Sequence, residues 1–218
     1  MTIVPTKDGS NTLLHEELGE HYHSIHGALQ ESQHIFIKNG LALQAPKKKI
    51  VVFEMGFGTG LNALLALDYA KKHGISIDYY SIEAYPISIE ESQSLAYDQI
   101  IEVEHAFSLL HHADWNKLSI ISEDFKLHKI EGFLEETALD FLPQVDVVFY
   151  DAFAPNAQAH LWEPPILEKM FKLLTLGGHL STYCAKGQFK RNLKMVGFEV
   201  KGVPGPPGKR EITLAYKL

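Results

Sequence analysis

Residues 51–67 read "VVFEMGFGTGLNALLAL". An apolar run ends in an acid, three glycines alternate with other residues, and a helix-forming stretch begins at once. A buried strand handing over to a helix through such a turn is the start of a β-α unit in a mainly parallel sheet. The glycines let the backbone approach something closely. This one run therefore predicts a fold class and a ligand edge together.

The rest of the chain continues the alternation. "IVVFEM" is the first buried strand, and "GLNALLALDYAKKHG" is a helix closed by Gly74. "IDYYSIEAY" is the second strand, followed by helical stretches at "SIEESQSLAYDQI" and "VEHAFSLLHHADW". "FKLHKIEG" is the third strand and "FLEETALDFL" a short helix. "VDVVFYDAF" is the fourth strand, and "PPILEKMFKLL" is a helix started by its prolines. "GGHLSTYCA" is the fifth strand, and "KGQFKRNLKMVG" is a helix ending at Gly197. "FEVKGV" and "REITLAYKL" close the chain as a hairpin around "PGPPGK". The expected fold is α/β: a doubly wound, mainly parallel sheet with a C-terminal antiparallel hairpin. Residues 1–46 are expected to be an extension that closes the site, with a small hairpin at "IFIKNGLAL" around its Asn-Gly pair. Residues 47–218 are the expected main domain. Ligands of such sheets lie at the carboxyl ends of the strands.

The glycine turn admits three ligands. A phosphate-cradling P-loop needs a lysine that "GFGTGLN" lacks, and "GKR" at 208–210 lies in a hairpin loop. A dinucleotide turn counted from Gly56 places the bulky Leu61 at its third small position, and counted from Gly58 "GTGLNA" matches the pattern but starts two residues late. The third ligand is S-adenosylmethionine. In that reading Gly56, Gly58 and Gly60 approach the ribose and methionine portions, and Glu54 reaches the methionine ammonium. Glu83, at the end of the second strand, takes the two ribose hydroxyls as a bidentate acceptor. Glu83 would also serve NAD, so it identifies a nucleoside rather than which one. After the third strand stand Gly132 and Phe133, where an acid or amide would be expected to meet the adenine amine. Phe133 is expected to pack on the adenine, with plain core packing as the competing reading.

Asp151 stands at the end of the fourth strand in "VFYDAFAPNAQAHLWEPP", where the cofactor's methyl group would point, and Phe153 and Pro155 follow. A nitrogen that accepts a methyl group becomes positive. A carboxylate and an aromatic face stabilise that charge. A neighbouring carboxylate also favours the ammonium form of the amine, so Asp151 is expected to orient and stabilise the cation rather than act as a simple base.

Composition sharpens the reading in two places. The net charge is −7, which alone argues against nucleic acid. From Ser181 onward, however, eight Lys/Arg face two Glu, so this segment carries +6 and the remainder −13. A basic C-terminal third on an acidic body suits a phosphate-binding face, and equally a set of solvated helix and strand edges. The lone Cys184 excludes disulfides and cysteine zinc sites. His21, His23 and His26 beside Glu20 are read as surface or site-lining residues, so no metal is expected. The N-terminus lacks an apolar signal core and no stretch has membrane-spanning length, so the expected place is the cytoplasm.

"HYHSIHGALQESQHIFIKNGL", "FEMGFGTGLN", "VDVVFYDAFAP" with its later "LW", and "TYCAKGQFKRNLKMVGFEV" with "GKRE" fall in order across nearly the whole chain. Together they resemble the methyltransferase portion of the bifunctional tRNA wobble-uridine enzyme family MnmC. The resemblance implies a Rossmann-like class I S-adenosylmethionine-dependent methyltransferase. It would methylate the aminomethyl nitrogen of 5-aminomethyl-2-thiouridine in tRNA. The chain is too short for the family's oxidase domain, so it resembles a stand-alone methyltransferase whose amine another enzyme supplies. Carried over by position, Glu54, Gly56, Gly58, Gly60 and Asn62 line the cofactor and Glu83 holds its ribose. Asp151 and Phe153 face the amine. Tyr22 and Ser24 help to close the site. The charge of the basic C-terminal third, rather than the resemblance, marks Lys186, Lys209 and Arg210 as the expected RNA contacts. tRNA is the expected partner, with neither a membrane nor a stable protein partner. A small-amine methyltransferase and a non-catalytic nucleoside- or NAD-binding module remain alternatives.

Overall fold

The glycine turn lies at the middle of a sheet, under a cap formed by the N-terminal residues. The computed structural model describes residues 1–101, 103 and 105–218. Strands β1 (Thr2–Pro5), β2 (Asn11–His15) and β3 (Glu20–His21) form a three-stranded antiparallel sheet. Helix α1 (Ala28–Ser32) runs into a π-helical turn at Gln33–Lys38 and a 3-10 turn at Leu41–Gln44. Then come β4 (Lys49–Met55), α2 (Leu61–His73), β5 (Ser76–Glu83), α3 (Ile89–Ser94) and α4 (Ala106–His112). Next are β6 (Lys117–Ser122), β7 (Phe125–Glu131), β8 (Val145–Tyr150) and α5 (Pro164–Leu173). The chain ends with β9 (Leu174–Thr182), α6 (Gly187–Val196), β10 (Glu199–Pro204) and β11 (Glu211–Tyr216).

The main sheet has the order β10-β11-β9-β8-β4-β5-β7-β6. Its five central strands, β9 to β7, are parallel, and both edges are antiparallel. From β4 the chain winds outward through β5 and β7, then returns to β8 on the other side. The switch point therefore lies between β4 and β8, where Asp151 N–H donates to Met55 O at 3.2 Å. Side chains of β8 alternate between two cores. Phe149 packs with Phe36, Leu64, Tyr79 and Phe125 on one face. Tyr150 packs with Trp162, Leu167 and Phe189 on the other. Burial on both faces explains the apolar run at residues 147–150 of this strand.

Four expectations are corrected. "IFIKNGLAL" is helical, not a hairpin. A primed hairpin turn needs positive φ at both central residues, whereas Asn39 has φ −101° and Gly40 φ −115°. Burial at Ala28, Glu31, Ser32, Ile35 and Phe36 recurs at helical spacing, and this face covers α2. Gly40 is needed for space, since a Cβ there would lie 2.1 Å from Phe36 O. Residues 133–142 form turns, not a helix. Lys169 Nζ reaches over from α5 and donates to the carbonyls of Leu134, Glu135 and Thr137, the acceptors a growing helix would use. Strand β6 was not expected, and as a solvent-facing edge with Ile120 75% exposed it shows little apolar alternation. The helix read across residues 103–115 is shortened to α4, and its Glu104 lies outside the described residues.

Candidate active site

The carboxyl ends of β4, β5, β7 and β8 open into a cleft of about 470 Å³, with the N-terminal sheet as its lid. The turn after β4 keeps φ of +90°, +49° and +74° at Gly56, Gly58 and Gly60. Two of these glycines also solve a packing problem. A Cβ on Gly56 would stand 2.9 Å from Asp151 O, and one on Gly58 3.0 Å from the Tyr22 ring. Only glycine lets β4 and β8 meet and the lid settle on the turn.

One end of the cleft is organised by backbone. Glu83 accepts from Gly58 N–H and from Tyr85 N–H, each at 2.9 Å, one at each carboxylate oxygen. Burial still raises its pKa above the ordinary value. Each oxygen keeps a free lone pair for a diol. Phe133 is 40% exposed, so it is not core packing; its ring meets Tyr85 edge-on at 5.6 Å. Gly132 lies beside it on the cleft wall.

The other end is organised by side chains from distant segments. Asn62 Nδ2 donates to Asp151 Oδ2 at 2.8 Å. Burial pushes the Asp151 carboxyl up to about 7, although the Asn62 hydrogen bond and the Lys209 charge pull it down. Phe153 meets Tyr22 at 5.0 Å and His15 at 5.9 Å, both edge-on. Glu31 Oε2 accepts Ser24 N–H at 2.8 Å, and its Oε1 pairs with Lys209 Nζ at 3.3 Å. Lys209 Nζ also lies 4.8 Å from the centre of the Tyr183 ring. Tyr183 in turn donates to Ala152 O at 2.8 Å. The lid is tied to the turn by His23, whose Nε2 lies 2.7 Å from Thr59 Oγ1. Burial lowers the His23 pKa to about 4, so the ring is neutral at pH 7.

Most of the expected site residues line this one cleft, from Tyr22 and Ser24 through Gly56, Gly58, Asn62 and Glu83 to Gly132, Phe133, Asp151, Phe153 and Lys209. Four do not. Glu54 is completely buried beneath the turn, where Ser81 Oγ donates to its Oε2 at 2.8 Å, because alternation along β4 turns its side chain inward. Gly60 shapes the turn from behind, against His111. Lys186 points to Asn156 outside the cleft, at 2.7 Å, and Arg210 faces solvent. Sequence reasoning missed Glu31, Thr59, Tyr85 and Tyr183. The strand-end rule that picked Asp151 also reaches Tyr183, which directly follows β9. Glu31 carries no such mark, since a carboxylate on a short helix resembles any solvated one. Among the described residues no group of three or more His, Cys, Asp or Glu side chains is placed to hold a metal ion. Among them, too, no helix is long and apolar enough to cross a membrane.

A doubly wound sheet with a glycine turn and a strand-end acid at its switch point is the frame of a nucleoside-binding enzyme. The cleft has the size of a small-molecule site, and its pinned carboxylate and aromatic rim fit a nucleoside with a polar tail. A sequence profile described as S-adenosyl-L-methionine-dependent methyltransferase matches residues 90–218, more than half of the chain, and the protein belongs to that family. Its cofactor is S-adenosylmethionine. The crystal structure of MNMC2 from Aquifex aeolicus superposes with a TM-score of 0.78 at 27% identity, covering 98% of this chain and 69% of that one. The tRNA 5-methylaminomethyl-2-thiouridine biosynthesis bifunctional protein MnmC of Burkholderia mallei (strain SAVP1) is 32% identical over 96% of this chain. Its counterpart in Chromobacterium violaceum is 28% identical over 89%. The chain spans about a third of the length of these two curated relatives.

Proposed function

We propose that this methyltransferase acts on the aminomethyl nitrogen of 5-aminomethyl-(2-thio)uridine at the tRNA wobble position, in the cytoplasm. The names of its relatives suggest the substrate. The observation that carries the reading is Asp151, fixed by Asn62 at the aromatic end of the cleft and, with its carboxyl pushed up to about 7, poised between its charged and neutral forms at pH 7. Residues 1–46 act as the lid of the site and residues 47–218 as the methyltransferase domain.

S-adenosylmethionine, when bound, supplies a methyl group on a sulfonium that departs as the carbon–sulfur bond breaks, both electrons going to sulfur. Glu83 and the turn at Gly56 and Gly58 hold the nucleoside end. Asp151 accepts a hydrogen bond from the amine, aims its lone pair at the methyl carbon, and screens the positive charge that grows on nitrogen. An alkylamine titrates near ~10, so the pKa gap to Asp151 is about 3 units instead of about 6 for an ordinary aspartate. The raised carboxyl can therefore also receive the amine proton, a role the unshifted residue would perform poorly. Phe153 and Tyr22 wall the reacting end and exclude water. Lys186, Arg191, Lys194 and Arg210 are exposed, carry no ion pair among the described residues, and supply the phosphate-facing surface.

The test is incubation with S-adenosylmethionine and tRNA from cells lacking this methylation, followed by nucleoside mass analysis. Conversion of the aminomethyl to the methylaminomethyl nucleoside is expected. Methylation of small amines but not of tRNA would replace the substrate. Binding of NAD in preference to S-adenosylmethionine would remove the reading altogether.

A further inference from the structure

Beneath the glycine turn lies a sealed polar cluster that the reaction above does not use. Glu54, Tyr79, Ser81 and Asn62 surround one buried point, and each is at most 3% exposed. Ser81 satisfies Glu54 Oε2. Glu54 Oε1, Tyr79 Oη and Asn62 Oδ1 are all buried without a hydrogen-bond partner among the described residues. Two of these three atoms can only accept if Glu54 is ionised. The Tyr79 hydroxyl brings a single proton, which cannot serve both. One more proton, placed on Glu54, turns an acceptor into a donor and completes the set.

We propose that Glu54 is a positioning residue that works as a neutral acid: it donates toward Asn62 Oδ1, fixing the amide so that Asn62 Nδ2 points at Asp151. The inference rests on the assignment of Asp151 to the reacting end of the cleft. An amide can rotate by half a turn at little steric cost, and the rotated form would set an acceptor against the Asp151 carboxylate. A donor on the far side of Asn62 forbids that rotation. Burial raises the Glu54 pKa well above the ordinary range, and the Asp151 charge acts in the same direction. An ionised Glu54 would also lie buried beside Tyr79, Ser81 and Asn62, with no cation next to it among the described residues. The strand-end acid thus serves the carboxyl at the next strand end and not the cofactor's ammonium.

The test reads the Asp151 carboxyl directly, in cofactor-free protein, by pH-difference infrared spectroscopy with Asp151→Asn as the subtraction reference. Wild type and Glu54→Gln are expected to titrate at the same pH, because glutamine keeps a donor and adds no charge. Glu54→Ala is expected to titrate higher, because a loosened Asn62 withdraws its hydrogen bond from the carboxylate. A carboxylic-acid band is expected to persist in Asp151→Asn protein above the pH at which ordinary carboxyls have ionised, and should vanish when Glu54→Gln is added. A downward move of the Asp151 midpoint by about one unit or more in Glu54→Gln would show that a negative charge had been removed, and would overturn the proposal. So would the absence of the acid band. Glu54→Gln decides alone if the alanine variant fails to fold. Cofactor affinity in Glu54→Gln should stay within about threefold of wild type; a loss of about tenfold or more would return Glu54 to the cofactor. Where methyl transfer is measured, Glu54→Ala should be slower by about tenfold and Glu54→Gln should recover the rate and its pH profile. Failure of wild type to methylate tRNA would sink the substrate assignment and leave the infrared result standing.

Discussion

The two ends of the cleft are built differently. At the Glu83 end the polar ligand-facing groups are backbone amides and one carboxylate, all within 30 residues of chain between Gly56 and Tyr85, with only the Phe133 ring and Gly132 added from the loop after β7. At the Asp151 end, contributions come from the lid, α1, the β8 loop, the end of β9 and the terminal hairpin, brought together by Tyr22, Glu31, Phe153, Tyr183 and Lys209. A binding end made of main chain tolerates little variation in geometry. A reacting end made of side chains can be retuned by single substitutions. The difference suggests that affinity for the cofactor and rate of transfer are separable by mutation.

The largest separation should come from Glu83→Ala. Two charge-assisted hydrogen bonds to the ribose are lost, each worth roughly 1.5–3 kcal/mol, and the amides of Gly58 and Tyr85 lose their acceptor. Calorimetry should show S-adenosylmethionine affinity falling by about 10²-fold or more in a folded protein. An unchanged affinity would mean that the nucleoside lies elsewhere. Asp151→Ala should do the opposite. Single-turnover methyl transfer should fall by about 10²–10³-fold while cofactor affinity barely moves. In wild type the rate should rise with pH through about 7, as Asp151 gains its charge, and then level off. Asp151→Asn should keep part of the rate, because its amide oxygen still accepts from the amine, and should lose the inflection. A pH-independent wild-type rate would remove Asp151 from the proton's path.

The contrast also explains what could be read before folding. That the Glu83 end would gather at one cleft was legible because its polar groups follow one another along a strand, a turn and a second strand, and strand alternation and glycine spacing are local signals. Glu54 misled for the same local reason. It occupies the strand-end position that a cofactor ligand would hold, and only packing shows that its side chain turns inward toward Ser81. Glu31 and Tyr183 could not be assigned together, since 152 residues separate them in sequence and Lys209 joins them in space. The Asn-Gly pair at 39–40 looked like a hairpin because the demand for glycine at Gly40 comes from Phe36 O and not from a positive φ. The doubly wound order was readable from the alternation, whereas the lid's small sheet, with strands of two to five residues, left too short a pattern.

Tuning of the reacting end has a cost in stability that can be measured without substrate. The folded-state pKa of Asp151 lies near 7, above its ordinary 3.8. The folded form therefore holds the proton more tightly than the unfolded form, so the associated stability is full below about pH 3.8 and is lost as pH rises through 7. Asp151→Asn does not titrate. Its unfolding free energy relative to wild type, read from denaturant melts, should climb between about pH 4 and 7 and then plateau, by an amount on the order of 2 kcal/mol given the partial opening of Asp151 to the cleft. A pH-independent difference would mean that the carboxyl is not desolvated.

The smallest effects concern the basic hairpin, where neighbouring residues should divide their work as the two ends of the cleft do. Arg210 is exposed and carries no ion pair among the described residues. If it meets one RNA phosphate, Arg210→Ala should lower the slope of log affinity against log salt by about 0.7–0.9, for every tRNA alike. Lys209 is already committed, its ammonium paired with Glu31 and seated against the Tyr183 ring. Lys209→Ala should therefore leave the salt slope nearly unchanged and act on the site instead. Its charge holds the Asp151 carboxyl down, so removing it should raise the Asp151 pKa and move the midpoint of the rate to higher pH. Tethering of the lid through Glu31 would be lost in the same variant, and Lys209→Arg should restore both. Equal changes in salt slope for Lys209→Ala and Arg210→Ala, with no movement of the midpoint, would show that the hairpin is one undivided phosphate surface and that the cleft ends short of it.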